Sequence, residues 1–230
     1  MMDILAIGDV HGRDAWKEIE GTPADHIIFI GDYVDPHRYI PDADVILNFE
    51  EIIDFKRRNP DRVVLLLGNH DIQYMYYPDY QCSGHRADLQ PILGDLYNKN
   101  ADLFQIAWQY KKHLFTHAGI SRSWFARHRS TIQHYEAEHL AATLNAIHQS
   151  KDQEILFEVG YTRGGDCPSG GPVWADKSET EYDFLAGYHQ VVGHSRVPDF
   201  ARYGNSNNSI TYIDVQDTQV KFYEISIVNE

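Results

Sequence analysis

Five times along this chain a short apolar run ends in a tight turn that offers Asp, Asn or His. Residues 4–7 lead into Gly8-Asp9-Val10-His11-Gly12, and residues 27–30 into Gly31-Asp32-Tyr33-Val34-Asp35. Residues 63–67 lead into Gly68-Asn69-His70-Asp71, residues 113–116 into His117-Ala118-Gly119, and residues 191–192 into Gly193-His194. One such segment is an ordinary strand end. Five predict a fold that gathers strand ends from distant parts of the sequence around one convergent site, an arrangement that suits two-metal hydrolytic chemistry.

The gross properties allow this. A chain of 230 residues with 43% hydrophobic and 23% charged residues is long enough for a substantial core, and it reads as a single domain over 1–230. The formal charge of −14 disfavours bulk binding to nucleic acid or to an anionic membrane. The two cysteines, Cys82 and Cys167, form no CxxC pair, which fits a reducing compartment. The first residues do not form a signal peptide, and no run approaches the ~20 apolar residues of a membrane span. A cytoplasmic location is expected.

The first part of the chain alternates strand-like and helix-like segments. Strands at 4–7, 26–30 and 62–67 are separated by helices expected over 14–20 and 43–58, the second carrying Val45, Phe49, Ile52 and Ile53 near helical spacing. This order implies a parallel sheet with its ligand loops at the carboxyl ends of the strands. Residues 72–91 read as a loop or short helices. Residues 103–110 and 112–116 read as a strand pair, Ser121 as the N-cap of a short helix, and 131–149 as one helix. The stretch 161–176, with four glycines and two prolines, reads as loop. Strands at 191–192, 209–214 and 218–227 look like antiparallel hairpins. The expected fold is α/β, a mixed-sheet sandwich with helices outside.

Asp9 and His11 are two apart. On extended backbone they face the same way and can grip one ion. Asp32 can bridge two cations through its two oxygens, and Asp35 is placed to orient a neighbour. Asn69 offers a hard oxygen without charge, and His70 beside it is free for acid–base work. His117 and His194 are weak signals singly and gain force from the set. Mixed carboxylate, amide and imidazole ligands suit manganese, iron or zinc.

The ordered set GDVHG, GDYVD, GNHD, HAG and VVGH resembles the calcineurin-like metallophosphoesterase superfamily, nearest its phosphoprotein-phosphatase branch. The motifs span residues 8–194. The resemblance implies a four-layer α/β/β/α fold and a phosphoesterase that hydrolyses a phosphomonoester by attack of metal-activated hydroxide. It implies two metal ions, manganese first, with iron or zinc as alternatives. Asp9, His11 and Asp32 would hold the first, and Asp32, Asn69, His117 and His194 the second. His70, oriented by Asp35, would protonate the leaving oxygen. The partner would be a phosphorylated substrate. Hydrolysis of phosphodiesters or dinucleoside polyphosphates, and a non-catalytic scaffold with the same fold, are the competing readings.

Two departures stand out. In the phosphoprotein-phosphatase branch GDYVD continues with Arg-Gly, where this chain has Pro36-His37; an arginine that some relatives carry before GNH is replaced by Leu65-Leu66-Leu67. Arg163, in a glycine-rich loop, is the first candidate for a phosphate clamp, since related phosphatases bring an arginine from this part of the chain to the phosphate. Arg38, Arg86 and Arg196 are weaker ones. Trp174 is equally a pocket wall or a core residue, and the tyrosine cluster 74–80 reads first as a surface loop packed on itself and second as a cleft lining.

Overall fold

A computed structural model describes residues 1–228. It divides into two compact units, residues 1–104 with the segment from 215 onward, and residues 105–214. Each contains a mixed five-stranded sheet flanked by helices.

In unit 1, strands β1 (Met2–Ile7), β2 (His26–Phe29) and β3 (Val63–Leu66) lie parallel in that order. Every residue of β3 is buried, which is why it reads as a continuous apolar run without alternation. Helix α1 (Asp42–Arg58) connects β2 to β3 and buries Val45, Phe49, Ile52, Ile53 and Phe55. Phe49 lies 5.5 Å from the ring of Tyr33 and 4.6 Å from that of Tyr97. This aromatic cluster sits beneath the loop that follows β2. The helix expected over 14–20 is a single 3-10 segment, Ala15–Ile19, that buries Trp16 and Ile19. Within the supposed loop, helix α2 (Asn69–Met75) starts directly on the GNHD turn, and α3 (Gln90–Lys99) follows. The short β4 (Phe104–Gln105) closes one edge of the sheet.

Unit 2 holds β5 (Ala107–Tyr110), β6 (His113–Thr116), β7 (His189–Val192), β8 (Ala201–Gly204) and β9 (Ser209–Tyr212), ordered β5-β6-β7-β9-β8. The β5/β6 pair is antiparallel, as expected. The C-terminal half differs from its hairpin reading. Strand β7 runs parallel to both β6 and β9; of the strands after 190, only β8/β9 forms an antiparallel pair in this sheet. The final strand, Tyr223–Ile227, leaves for unit 1 and pairs antiparallel with β1. Ser121 accepts from the Trp124 amide and caps α4 (Arg122–Arg127). The single helix expected over 131–149 is broken into α5 (Arg129–His134) and α6 (Leu140–His148). At the break, Thr143 Oγ1 accepts from the Ala137 amide and His139 Nδ1 from the Ala142 amide. These side-chain caps compete with continuation of the helix. Helix α6 is tied to β5 by Asn145, whose Oδ1 accepts from the Ile106 and Ala107 amides while its Nδ2 donates to the Ala107 carbonyl.

Candidate metal centre

Unit 1 places Asp9, His11 and Asp32 together. All three are buried, and one donor atom from each lies within 4.8 Å of the others. His11 Nε2 stands 3.9 Å from Asp9 Oδ2 and 3.8 Å from Asp32 Oδ2. These separations are too long for hydrogen bonds. The three groups face a common centre without satisfying one another. The other ring nitrogen of His11, Nδ1, is bonded to the Val34 carbonyl at 2.9 Å, which fixes the ring and leaves Nε2 with the lone pair. Burial pulls the His11 pKa down to about 3 against the pull of Asp32, so the imidazole is neutral and able to ligate. Two buried carboxylates facing a neutral imidazole are costly without a cation, and this donor set fits a divalent metal.

The pair does not arise from strand alternation. Strand β1 ends at Ile7, and His11 has φ +46°. Among the described residues six non-glycine residues have positive φ, and His11, Asp32, Asp35 and His194 are four of them. Such a backbone costs roughly 1–3 kcal/mol per residue and persists where its surroundings over-determine it.

At Asp32 the over-determination comes from Asp71, the last residue of the GNHD motif. Asp71 is fully buried in α2. Its carboxylate accepts from the amides of Asp32 (2.8 Å), Tyr33 (3.0 Å) and Gly68 (2.7 Å) and from the Tyr97 hydroxyl (2.5 Å). It thereby fastens the turn after β2 to the turn after β3. Burial and the nearby Asp32 push its pKa up to about 7 against the pull of these donors. The two turns also touch at Gly31, φ +111°, where a Cβ would lie 2.5 Å from the Gly68 nitrogen. Only glycine permits that approach.

His70 Nδ1 sits 2.9 Å from Asp35 Oδ2, and its backbone amide donates to Asp32 Oδ1 at 2.9 Å. Burial opposes a charge on His70, but the field of Asp32 and the bond to Asp35 outweigh it and raise its pKa well above the ordinary value. Asp35 is held in turn by Tyr74, whose hydroxyl donates to Oδ1 at 2.5 Å, and by Gln73 Nε2 at 2.5 Å from Oδ2. Tyr74 therefore belongs to this network and not to a surface loop. Asn69 is buried, and its Nδ2 donates to Cys82 Sγ at 3.5 Å, so the carbonyl oxygen is the end turned away from Cys82.

In unit 2, His117 Nε2 and His194 Nδ1 are 3.1 Å apart, and the Gly193 amide donates to the His117 carbonyl at 2.8 Å. The parallel pairing of β6 with β7 brings these two strand ends together. Trp174 is buried with its ring 6.1 Å from that of His194, edge to face. Arg163 Nε pairs with Asp176 at 2.7 Å, and its Nη2 donates to Ser195 Oγ at 3.1 Å, beside His194. Exposed Arg38 reaches the Asp217 carbonyl at 3.5 Å, and Arg86 is bound to Asp42 and Asp88.

The profile of the family described as calcineurin-like phosphoesterase matches residues 2–221. The chain belongs to the calcineurin-like phosphoesterase family. Membership gives the clustered residues of this calcineurin-like protein that could hold a metal ion a family context. Its fold is similar to that of a cold-active protein-tyrosine phosphatase of a psychrophilic Shewanella species. That structure aligns with TM-score 0.60 at 18% identity over 96% of this chain and 73% of the other. A second structure of a cold-active protein tyrosine phosphatase gives TM-score 0.57 at 19% identity over 96% and 72%. At these identities the likeness concerns the fold. The serine/threonine-protein phosphatase 4 catalytic subunit of Eremothecium gossypii is 33% identical over 73 residues, 30% of this chain. The match spans 22% of that relative's length.

Proposed function

We propose that this protein is a dinuclear-metal phosphatase that hydrolyses a phosphomonoester. The observation that carries the reading is the buried trio Asp9, His11 and Asp32, whose donor atoms converge without bonding to one another. In this reading the two units make one domain, and unit 1 supplies the first ion's ligands, Asp9, His11 and Asp32. Asp32 and Asn69 from unit 1, with His117 and His194 from unit 2, are the second set. Manganese is the first choice, with iron or zinc as alternatives, because the donors mix oxygen and imidazole. When bound, the ions would supply Lewis-acid neutralisation of phosphate charge and activation of water.

The chain's own residues do the rest. Water oxygen forms the new bond to phosphorus and gives up a proton to solvent while the bond to the leaving oxygen breaks. The electron pair stays with that oxygen, which takes the proton His70 holds. Asp35 keeps His70 oriented through the 2.9 Å contact at Nδ1, so the other ring nitrogen faces the substrate. Arg163, at the end of the 3-10 segment Tyr161–Arg163, is the first candidate to bind phosphate oxygens by exchanging Asp176 for the substrate; exposed Arg38 is the weaker one. Two free thiols, Cys82 and Cys167, support a cytoplasmic location. No helix among the described residues is long and apolar enough to cross a membrane.

The test is His70→Ala in metal-loaded protein assayed on phenyl phosphate. A fall in turnover of at least ~10²-fold with unchanged metal content is expected for loss of a general acid. Undiminished turnover would remove His70 from the mechanism.

A further inference from the structure

The ring of His70 opens onto a cleft of about 280 Å³ lined by Asp35, Pro36, His37, Ser83, Gly84 and Arg86, all in unit 1. A general acid must lie within hydrogen-bond reach of the oxygen it protonates, so this cleft is where the leaving group sits if His70 is that acid. Its volume is at the low end for small-molecule sites, enough for roughly one ring or one side chain. Its walls are two imidazoles, a hydroxyl, a proline ring, the Asp35 carboxylate, the Arg86 guanidinium and the backbone at Gly84. The exposed His37 ring rests 4.1 Å from the ring of His11 and 6.4 Å from that of His70. Gly84 comes close to His70 as well, since a Cβ there would stand 3.5 Å from the ring.

Arg86 is the arginine lining the cleft, and its charge is already engaged. Its Nη1 and Nη2 donate to both oxygens of Asp42 at 3.2 and 3.0 Å, while Nε and Nη2 donate to Asp88 at 3.2 and 2.9 Å. One positive charge therefore faces two negative ones at the mouth, on a chain whose formal charge is −14. The proton on His70 is faced by Asp35 and the charge of Arg86 by Asp42 and Asp88, so an anionic leaving group entering here meets a net negative surround.

We propose that the cleft receives an uncharged hydroxylic leaving group, so that the preferred substrates are monoesters of neutral alcohols and not esters whose leaving group is itself anionic, such as polyphosphates. This rests on the phosphatase reading above. In the reaction the neutral alcohol departs with the proton from His70, and phosphate retains the oxygen of water.

The experiment compares phenyl phosphate with 4-carboxyphenyl phosphate on the full-length, manganese-loaded protein; the two leaving groups match in ring size and differ in charge. We expect kcat/KM to favour phenyl phosphate by about fivefold or more at low salt, and the gap to narrow in high salt. The Asp42→Asn/Asp88→Asn double variant frees Arg86 and should cut the preference at least threefold, with the phenyl phosphate rate unchanged. Asp88→Asn alone, at an exposed position, gives half of that effect should the double variant fold poorly. Equal rates on the two esters, or a preference that neither variant alters, overturns the proposal while leaving the phosphatase reading intact. No hydrolysis of either ester sinks the phosphatase reading, and this inference with it.

Discussion

In unit 1 the candidate ligands are two carboxylates and one imidazole whose donor atoms face one another across 3.8–3.9 Å without a bond. In unit 2 they are two imidazoles already in contact at 3.1 Å. The first group is held apart by a scaffold, with Asp71 fastening the Asp32 turn and Val34 fixing His11. The second group is joined through one nitrogen of each ring. A cation entering unit 1 finds charge and geometry prepared, whereas one that engages both histidines of unit 2 must first displace their mutual contact. Preorganised donors bind without reorganisation cost, so unit 1 is expected to dominate metal affinity.

The sharpest way to break this comparison is to remove one ligand from each unit. Asp9→Asn takes a charge from the prepared group and should lower turnover at least ~10²-fold and weaken metal binding in calorimetric titration. His194→Gln removes a neutral ligand and leaves His117 in place. It should cost roughly tenfold in affinity. Equal losses from the two variants would mean that the scaffold in unit 1 confers no advantage.

The scaffold itself is tested by Asp71→Ala. The substitution leaves the Asp32, Tyr33 and Gly68 amides and the Tyr97 hydroxyl without their acceptor in a buried site. Buried unsatisfied donors cost about 1–3 kcal/mol each, with partial relief from water. A stability loss of about 3 kcal/mol in urea unfolding is expected, together with weaker metal binding. Asp71→Asn, which keeps one oxygen acceptor, should lose less on both measures. Full metal affinity in Asp71→Ala would show that the ligands hold their places unaided.

The same contrast explains what could be read from the sequence. The β-α-β-α-β order of unit 1 was legible because β3 is a fully buried run and α1 carries a stripe of apolar residues at helical spacing. Ligand residue types were legible because buried Asp and His after apolar runs are rare without a task. Asp71 was not, because its role consists of partners 3 to 39 residues away that meet only in the fold. The closeness of Asp9 and His11 follows from a left-handed backbone at His11, which no side-chain pattern announces. Helix α3 hid behind Pro91 and Gly94, which resemble breakers, although proline suits the first turn of a helix. In unit 2 the short strands after 190 fit hairpins locally. Their parallel pairing, and the departure of the last strand to unit 1, are set by long-range partners.

The smallest expected effect concerns protons in unit 2 away from its histidine pair. His148 is buried on α6, and burial pulls its pKa down to about 4. The folded chain thus keeps it neutral, while the unfolded chain protonates it near pH 6.5. A depressed folded pKa contributes stability that is fully present above about pH 6.5 and is lost as pH falls towards 4. Between pH 7.5 and 5 this amounts to about 1–2 kcal/mol. His148→Gln cannot titrate, so its stability should fall less over that interval than that of the unsubstituted protein, even if its stability at pH 7.5 is lower. Urea unfolding at the two pH values measures the difference of differences. Parallel pH slopes for the two proteins would mean that His148 takes up its proton as readily in the folded unit as in the unfolded chain, and that the acid sensitivity of unit 2 must be sought at His113 beside His189, whose pKa burial also lowers to about 4.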